Sequence, residues 1–321
     1  MDKRTTSKSF WDDGMNSEFF GLPTRSICSQ HLQVDCLLKG GLRIVRLMLA
    51  GSDENLFAEM PDIHWPTPTG EYYLRGGHRL WLAPESLAHS YTADEGQLTI
   101  EDIPNGLRLL QPVEANNGLR KSISIELHSD EPRVTLSHEM RNESAQSVFM
   151  APWAITAMPL GGLAVMPYRE PVQVEGFLPN GEPAQTESFL PDRHVTLWPY
   201  TRWHDSRLKI TDDSIYVEAR AELPPCKIGC LNHRGWIGYL NQGVLFVKQF
   251  QLQPDRLYLD RNCNAEIYCG DRFIEVESLG PLCVLEPGQA ATHVETWSVH
   301  RFEGASPTPD DLQHALRSIG L

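Results

Sequence analysis

The segment CNAEIYCGDRFIEVESLGPL, residues 263–282, decides the fold. Cys263–Cys269 and Arg272–Leu279 both alternate apolar and polar residues, and only Gly270-Asp271 lies between them. Period-two alternation is the pattern of a half-buried strand, and Gly at the first position of a two-residue loop suits a type II′ hairpin. That turn pairs Cys269 with Arg272, Ile267 with Ile274 and Ala265 with Val276, which makes a buried face. The other face then sets Tyr268 against Phe273, Glu266 against Glu275 and Asn264 against Glu277. Directly opposed like charges destabilise a sheet, so this face is either solvated or used. In a partly dry cleft, close carboxylates separate in pKa and yield one proton acceptor and one donor.

The same alternation recurs outward from this hairpin. Ile123, Ile125 and Leu127 share a face, as do Val134, Leu136 and Met140, then Ile215, Val217 and Ala219, then Val244, Phe246 and Phe250. A helical period is nearly absent until the end of the chain. There, Ser306-Pro-Thr308-Pro309-Asp310-Asp311 reads as an N-cap with Pro at N1 and acids in the first turn. Leu312, Leu316 and Ile319 follow on one side, so a short helix is expected to cover a sheet edge. Residues 167–194, rich in Pro, Glu and Gly, read as a long excursion from the sheets. These observations predict an all-β chain: a large antiparallel β-sandwich with a short C-terminal helix. The boundaries expected are 1–30 for an N-terminal extension, 31–303 for one sandwich domain and 304–321 for a helical tail.

Composition bounds the function. The 321 residues carry 28 basic and 42 acidic side chains, a net charge of −14. That balance opposes nucleic acid and anionic membrane as partners. No apolar run is long enough for a spanning helix, and the basic N-terminus lacks the apolar stretch of a secretory signal. Seven cysteines, an odd number spread over a long chain, predict reduced thiols and a cytoplasmic location. HExxH, Walker, GxGxxG and GxSxG patterns are all missing. CKIGC (226–230) has no second cysteine pair and is weak as a zinc site.

Three further stretches carry candidate chemistry. LRGGHRLWLAPE (74–85) places Arg75, His78, Arg79 and Trp81 beside two glycines, which permit tight turning and close approach by a ligand. APWAIT (151–156) sets Trp153 in an apolar run; Trp is often core, but it is also a platform for the apolar face of a sugar. LWPYTRWHDSR (197–207) interleaves aromatic and polar groups, which suits carbohydrate binding and a loop packed on a sheet equally. His138 shares its strand face with Val134, Leu136 and Met140 and reads as a core histidine.

Taken together, RGGHRLW, APWAIT, Lys227-Ile228-Gly229, Gly235-Trp236 and FIEVESLGPLCVLEPGQAATHVETW resemble the galactose-mutarotase-like superfamily over about residues 40–300. The pattern is most similar to an uncharacterised branch related to aldose 1-epimerases and hexose-phosphate epimerases. The resemblance implies a β-supersandwich with a sugar-binding cleft on a concave sheet, and a small-molecule carbohydrate as partner. It also implies proton-transfer chemistry without metal or organic cofactor, in which a glutamate base acts on the anomeric hydroxyl and a histidine acid on the ring oxygen. Carried over, Glu277 matches the base, with Glu275 the neighbour if the register differs by two, and Arg75 matches the arginine of the Arg-Gly-Gly segment. The family's mid-chain histidine has no counterpart; here Asn142 is followed by Met150-Ala-Pro-Trp153. The expected catalytic set is therefore Glu277, Glu275 and His78. Arg75, Arg79, Trp81, Trp153, Lys227, Glu266 and Asn264 are expected to bind substrate, with Lys227 an alternative acid. A carbohydrate-binding module that keeps the cleft without the chemistry is the second expectation.

Overall fold

The computed structural model describes residues 16–168 and 193–321, with 176, 178 and 180–182. Most of the excursion expected over 167–194 lies outside the described residues. The alternating segments form two large antiparallel sheets. The first runs β1 (Asn16–Phe19), β2 (Leu22–Cys28), β3 (Leu32–Leu37), β4 (Arg43–Leu49), β7 (His78–Ala83), β12 (Val148–Pro159), β21 (Phe273–Leu279), β20 (Ala265–Cys269), β17 (Cys226–Cys230) and β14 (Thr196–Leu197), and β22 (Cys283–Leu285) also pairs with β12. The second runs β15 (Leu208–Ile210), β16 (Ser214–Glu218), β13 (Leu163–Pro167), β18 (Trp236–Asn241), β19 (Val244–Phe250), β23 (Ala290–Arg301), β11 (Arg133–Asn142), β10 (Leu119–Leu127), β9 (Gly106–Leu110) and β8 (Thr99–Ile103). A separate ribbon, β5 (Glu59–Thr67) with β6 (Gly70–Gly76), packs against the outer face of the first sheet. This is the all-β sandwich that the alternation predicts.

The main core lies between the sheets, where Ile123, Ile125, Val134, Leu136, Ile215, Val217, Phe246, Ile267, Ile274 and Val276 are buried together. A second apolar layer, including Tyr72, Leu74, Trp81, Trp153, Ile155 and Ala157, sits between the first sheet and the ribbon. The C-terminal helix spans Pro309–Ser318, with the Thr308 hydroxyl accepting from the Asp311 amide as its N-cap. Its buried Leu312, Ala315 and Leu316 cover Leu163, Val165, Trp236 and Leu245. Thus the helix seals the outer face of the second sheet rather than an edge. Strands β1 and β2, within the segment read as an extension, hydrogen-bond onto β3 and form the end of the first sheet.

The 263–282 segment is a hairpin, but its register differs from the expected one. Cys269 faces Ile274, Ile267 faces Val276, and Glu266 faces Glu277. The Gly270 amide donates to the Phe273 carbonyl at 3.0 Å, so the turn is Asp271-Arg272, one residue later than expected. Moving the turn by one residue changes each pairing by two and leaves the buried and polar faces unchanged. The alternation therefore fits both registers equally. The observed one lets Arg272 pair with Asp62 of the ribbon at 2.8 Å.

Candidate functional site

Register across five strands builds the site. On the outer face of the first sheet, Trp81 of β7, Trp153 of β12 and Leu279 of β21 lie in one row. The next row is Arg79, Ile155, Glu277, Glu266 and Gly229. The row after it is Ala157, Glu275, Tyr268 and Lys227. Ile155 and Ala157 keep the floor between the charged groups apolar and low. Gly229 leaves room for Glu266, since a Cβ there would stand 3.1 Å from Glu266 Cγ and 3.0 Å from Cys263 Sγ, closer than ordinary contact.

Lys227 ties the acids together. Its Nζ lies 2.7 Å from Glu266 Oε2 and 2.8 Å from Glu277 Oε2, and it rests over the faces of Trp153 (4.4 Å) and Trp198 (4.6 Å). Burial disfavours this ammonium, but the two carboxylates outweigh it and hold its pKa well above the usual lysine value. Trp153 Nε1–H also donates to Glu277 Oε2 at 2.8 Å. The other oxygen, Glu277 Oε1, is buried and has no protein partner. Arg79 Nη2 lies 2.9 Å from Glu275 Oε1, and its guanidinium stacks 4.1 Å over Trp81. Arg79 Nη1 and Nε are likewise unpartnered. Burial pushes the Glu266 carboxyl far up, with Lys227 opposing and the charges of Glu277 and Asp260 adding to the rise. Glu275 is raised as well, by burial first, against the pull of Arg79.

Of these groups, Arg79, Trp81, Trp153, Lys227, Glu275 and Glu277 line a pocket of about 170 Å³. Its walls are aromatic: Trp65 from the ribbon, Tyr91 from the loop after β7, Tyr200 from the segment before β15, and Tyr268 and Phe273 from the hairpin. The LWPYTRWHDSR segment is fixed to β17. The Thr201 hydroxyl accepts from the Lys227 amide (2.8 Å) and donates to the Lys227 carbonyl (2.9 Å), and a buried Asp205–Arg207 pair closes its far end. Beside the pocket, Asp260, Arg261 and Asn262 have φ of 52°, 61° and 69°. Left-handed backbone costs about 1–2 kcal/mol for each non-glycine residue. Burial raises the Asp260 carboxyl above the usual aspartate value, and the charge of Glu277 adds to the rise.

The structure brings together Glu277, Glu275, Glu266, Arg79, Trp81, Trp153 and Lys227 from the sequence set. Three others point elsewhere. Arg75 has φ 61° and is followed by Gly76 and Gly77 at φ 87° and 64°, so the chain swings from β6 into β7 at this point. Side-chain alternation does not carry across such a bend. Arg75 pairs with Glu95 and lies over Tyr73, outside the pocket lining. The two glycines serve packing, since a Cβ on Gly76 would fall 2.0 Å from the Ala58 carbonyl oxygen and one on Gly77 2.2 Å from that of Ile44. His78 faces the inter-sheet core. Asn264 accepts from the Asn232 amide (2.6 Å) and donates to its carbonyl (3.0 Å), which makes it a loop anchor. Trp65, Tyr91, Glu85 and Asp260 escaped the sequence reading. They come from the ribbon, from a loop and from the left-handed turn, where no strand period marks a face.

Beneath the floor lies a buried polar network, of which the sequence reading singles out only His78 and His138. His138 Nδ1 donates to the His293 carbonyl (3.0 Å), so its Nε2 accepts from His78 Nε2–H (2.8 Å). His78 Nδ1 then accepts from the Thr156 hydroxyl (2.9 Å). His293 Nε2–H donates to Ser278 Oγ (2.6 Å), which donates to Glu295. Glu295 also binds Lys248 (3.0 Å) and Trp297 Nε1 (2.9 Å). Burial holds all three imidazoles below the usual histidine value, His293 to about 3. The ligand atoms of His78, His138 and Glu295 lie within 4.8 Å of one another. Each already has a hydrogen-bond partner, so the group is complete without a cation.

No family model and no curated protein matches the sequence. Solved structures do match the fold. One is a TPR-domain-containing protein from Parabacteroides distasonis, with TM-score 0.59 at 15% identity over 88% of this chain and 48% of that one. The chain thus spans about half of that protein. A candidate aldose 1-epimerase from Klebsiella pneumoniae gives 0.55 at 10% identity over 93% and 83%, and one from Escherichia coli K12 gives 0.52 at 13% over 88% and 100%. Two antiparallel sheets, with a charged and aromatic pocket on the outer face of one of them, thus give this chain the galactose-mutarotase-like fold.

Proposed function

We propose that the pocket binds an uncharged aldose ring and that Glu277 takes the proton of its anomeric hydroxyl, so that the protein interconverts anomers. The observation that carries this reading is the state of Glu277. Trp153 and Lys227 hold Oε2, Oε1 is buried and unpartnered, and Glu277 lines the pocket. A buried acceptor without a partner is costly and would be satisfied by a sugar hydroxyl. The aromatic walls suit the apolar face of a pyranose. The descriptions of the Klebsiella and Escherichia proteins as candidate aldose 1-epimerases favour the same chemistry.

The charge pattern favours a neutral sugar over a phosphate or uronate. Among the described residues, the Lys227 ammonium already lies against Glu266 and Glu277 at 2.7 and 2.8 Å, and the Arg79 guanidinium against Glu275 at 2.9 Å, so each cation at the pocket already has an acidic partner. In the reaction the anomeric O–H passes its proton to Glu277, the C1–O5 bond opens to an aldehyde, and the ring recloses on the other face of C1. Exchange NMR across a panel of aldoses tests the reading. Anomeric exchange should accelerate with the wild type and fall to the buffer rate with Glu277→Gln, while saturation-transfer contacts to the sugar persist. Binding without acceleration in the wild type would identify a carbohydrate-binding module instead.

A further inference from the structure

Ring opening also needs a proton on O5, and among the described residues no histidine lines the pocket. His78 lies on the other side of the sheet, bonded to Thr156 and His138. Lys227 is held as an ammonium by two carboxylates and is a poor donor. Tyr91 already donates to Glu85, burial raises Tyr200 and Tyr268, and the Arg79 guanidinium keeps its protons. Glu275 remains. It sits two residues from Glu277 on the same strand face, lines the same pocket, and has one oxygen held by Arg79 at 2.9 Å.

Resting on the reading above, we propose that Glu275 is the proton donor of this site, protonating the ring oxygen while Glu277 deprotonates the anomeric hydroxyl. The Glu275 O–H bond breaks as O5–H forms, and the C1–O5 pair goes to O5. The O1–H pair becomes the second C1–O1 bond, and that proton goes to Glu277. Reclosure returns each proton to its owner, so neither oxidant nor co-reactant is consumed. The charged and titratable groups facing Glu275 are Arg79 from β7, Glu277 along β21, Tyr268 from β20, Lys227 from β17 and Tyr91 from the loop. Burial raises its pKa first, Arg79 and Lys227 oppose, and Glu277 adds to the rise. The outcome is a carboxyl that keeps its proton above the usual glutamate range, as a proton donor requires.

The test compares wild type, Glu275→Gln and Glu277→Gln by exchange NMR on the aldose that the wild type turns over fastest, with affinity read from chemical-shift titration. Glu275→Gln should lower exchange about 100-fold or more, the scale of general acid catalysis, with affinity changed by less than about threefold. The wild-type rate should fall on the alkaline side as Glu275 loses its proton, and that limb should vanish in Glu275→Gln. Because the pH profile is read on the wild type, it stands even if the variant folds badly. Full exchange in Glu275→Gln, or a wild-type rate flat on the alkaline side, overturns the donor assignment alone. Absence of acceleration by the wild type on any aldose overturns the reading and the assignment together.

Discussion

Replacing Lys227 by methionine keeps the length of the side chain and removes the one charge that Glu266 and Glu277 share. At 2.7 and 2.8 Å each contact carries about 6 kcal/mol of gross attraction at an effective dielectric of about 20. Burying the ammonium offsets much of this. Removing one partner of a buried ion pair costs about 3–5 kcal/mol, because the other charge stays buried and alone. Here two carboxylates that face each other across the hairpin would be left, both fully buried. Chemical denaturation at pH 7 should therefore show Lys227→Met less stable by about 3–5 kcal/mol, on the order of 10 °C in Tm. The deficit should depend on pH in a definite direction. Burial already holds the Glu266 carboxyl above its usual value against the pull of Lys227, and without the ammonium it rises further, so the folded variant binds more protons than the folded wild type. Stability then falls as pH rises from the unfolded carboxyl pKa through the folded one, and the variant recovers part of its loss at pH 5. Adding Glu266→Gln to Lys227→Met should restore part of the loss at pH 7. A deficit below about 1 kcal/mol at pH 7, or one as large at pH 5 as at pH 8, would refute the reasoning that this lysine offsets buried charge.

Other outcomes follow from the same geometry. Gly77→Ala, at φ 64° with the Ile44 carbonyl oxygen 2.2 Å from the new Cβ, should cost at least about 2 kcal/mol in urea denaturation. Arg79→Ala should weaken sugar binding at least about tenfold in a titration, the scale of a lost charge-assisted hydrogen bond, while Arg75→Ala should leave it within about twofold. Stability should fall as pH drops below about 6.5, because the unfolded histidines take up protons there and the buried His78, His138 and His293 do not. His293, held to about 3, would alone contribute about 3 kcal/mol of that loss by pH 4.5.

The fold was legible wherever burial has a period. Alternation in 119–127, 133–140 and 263–279 marks strands, and Thr308-Pro309-Asp310 marks the C-terminal helix, because side-chain direction and capping are local properties. Pairing is not local. A slip of two residues leaves Glu266, Glu275 and Glu277 on the same face, so the sequence could not say whether Glu266 meets Glu275 or Glu277. The site was legible where it lies on strands: Arg79, Trp81, Trp153, Lys227 and the acids of β21. Arg75 falls outside the pocket because left-handed backbone breaks the alternation, and His78, one residue from Arg79 on β7, faces the other side of the sheet. Asp260 and Tyr91 were invisible because turns carry no face. The −14 charge concealed a further point: four buried acids share three cations, with Glu275 against Arg79, Glu266 and Glu277 against Lys227, and Glu295 against Lys248.

Lys248 has a mechanical consequence. It rises from β19 of the second sheet and donates to the carbonyls of Ala154 in β12 and Val276 in β21, at 3.1 Å each. Those are the backbones on which Trp153, Glu275 and Glu277 are mounted. One cation thus bolts the opposite wall of the sandwich to the two strands that carry the reactive acids. Any breathing of these strands must first stretch that ammonium from its carbonyls, so the amides of β12 and β21 should be among the slowest in the chain to exchange with deuterium.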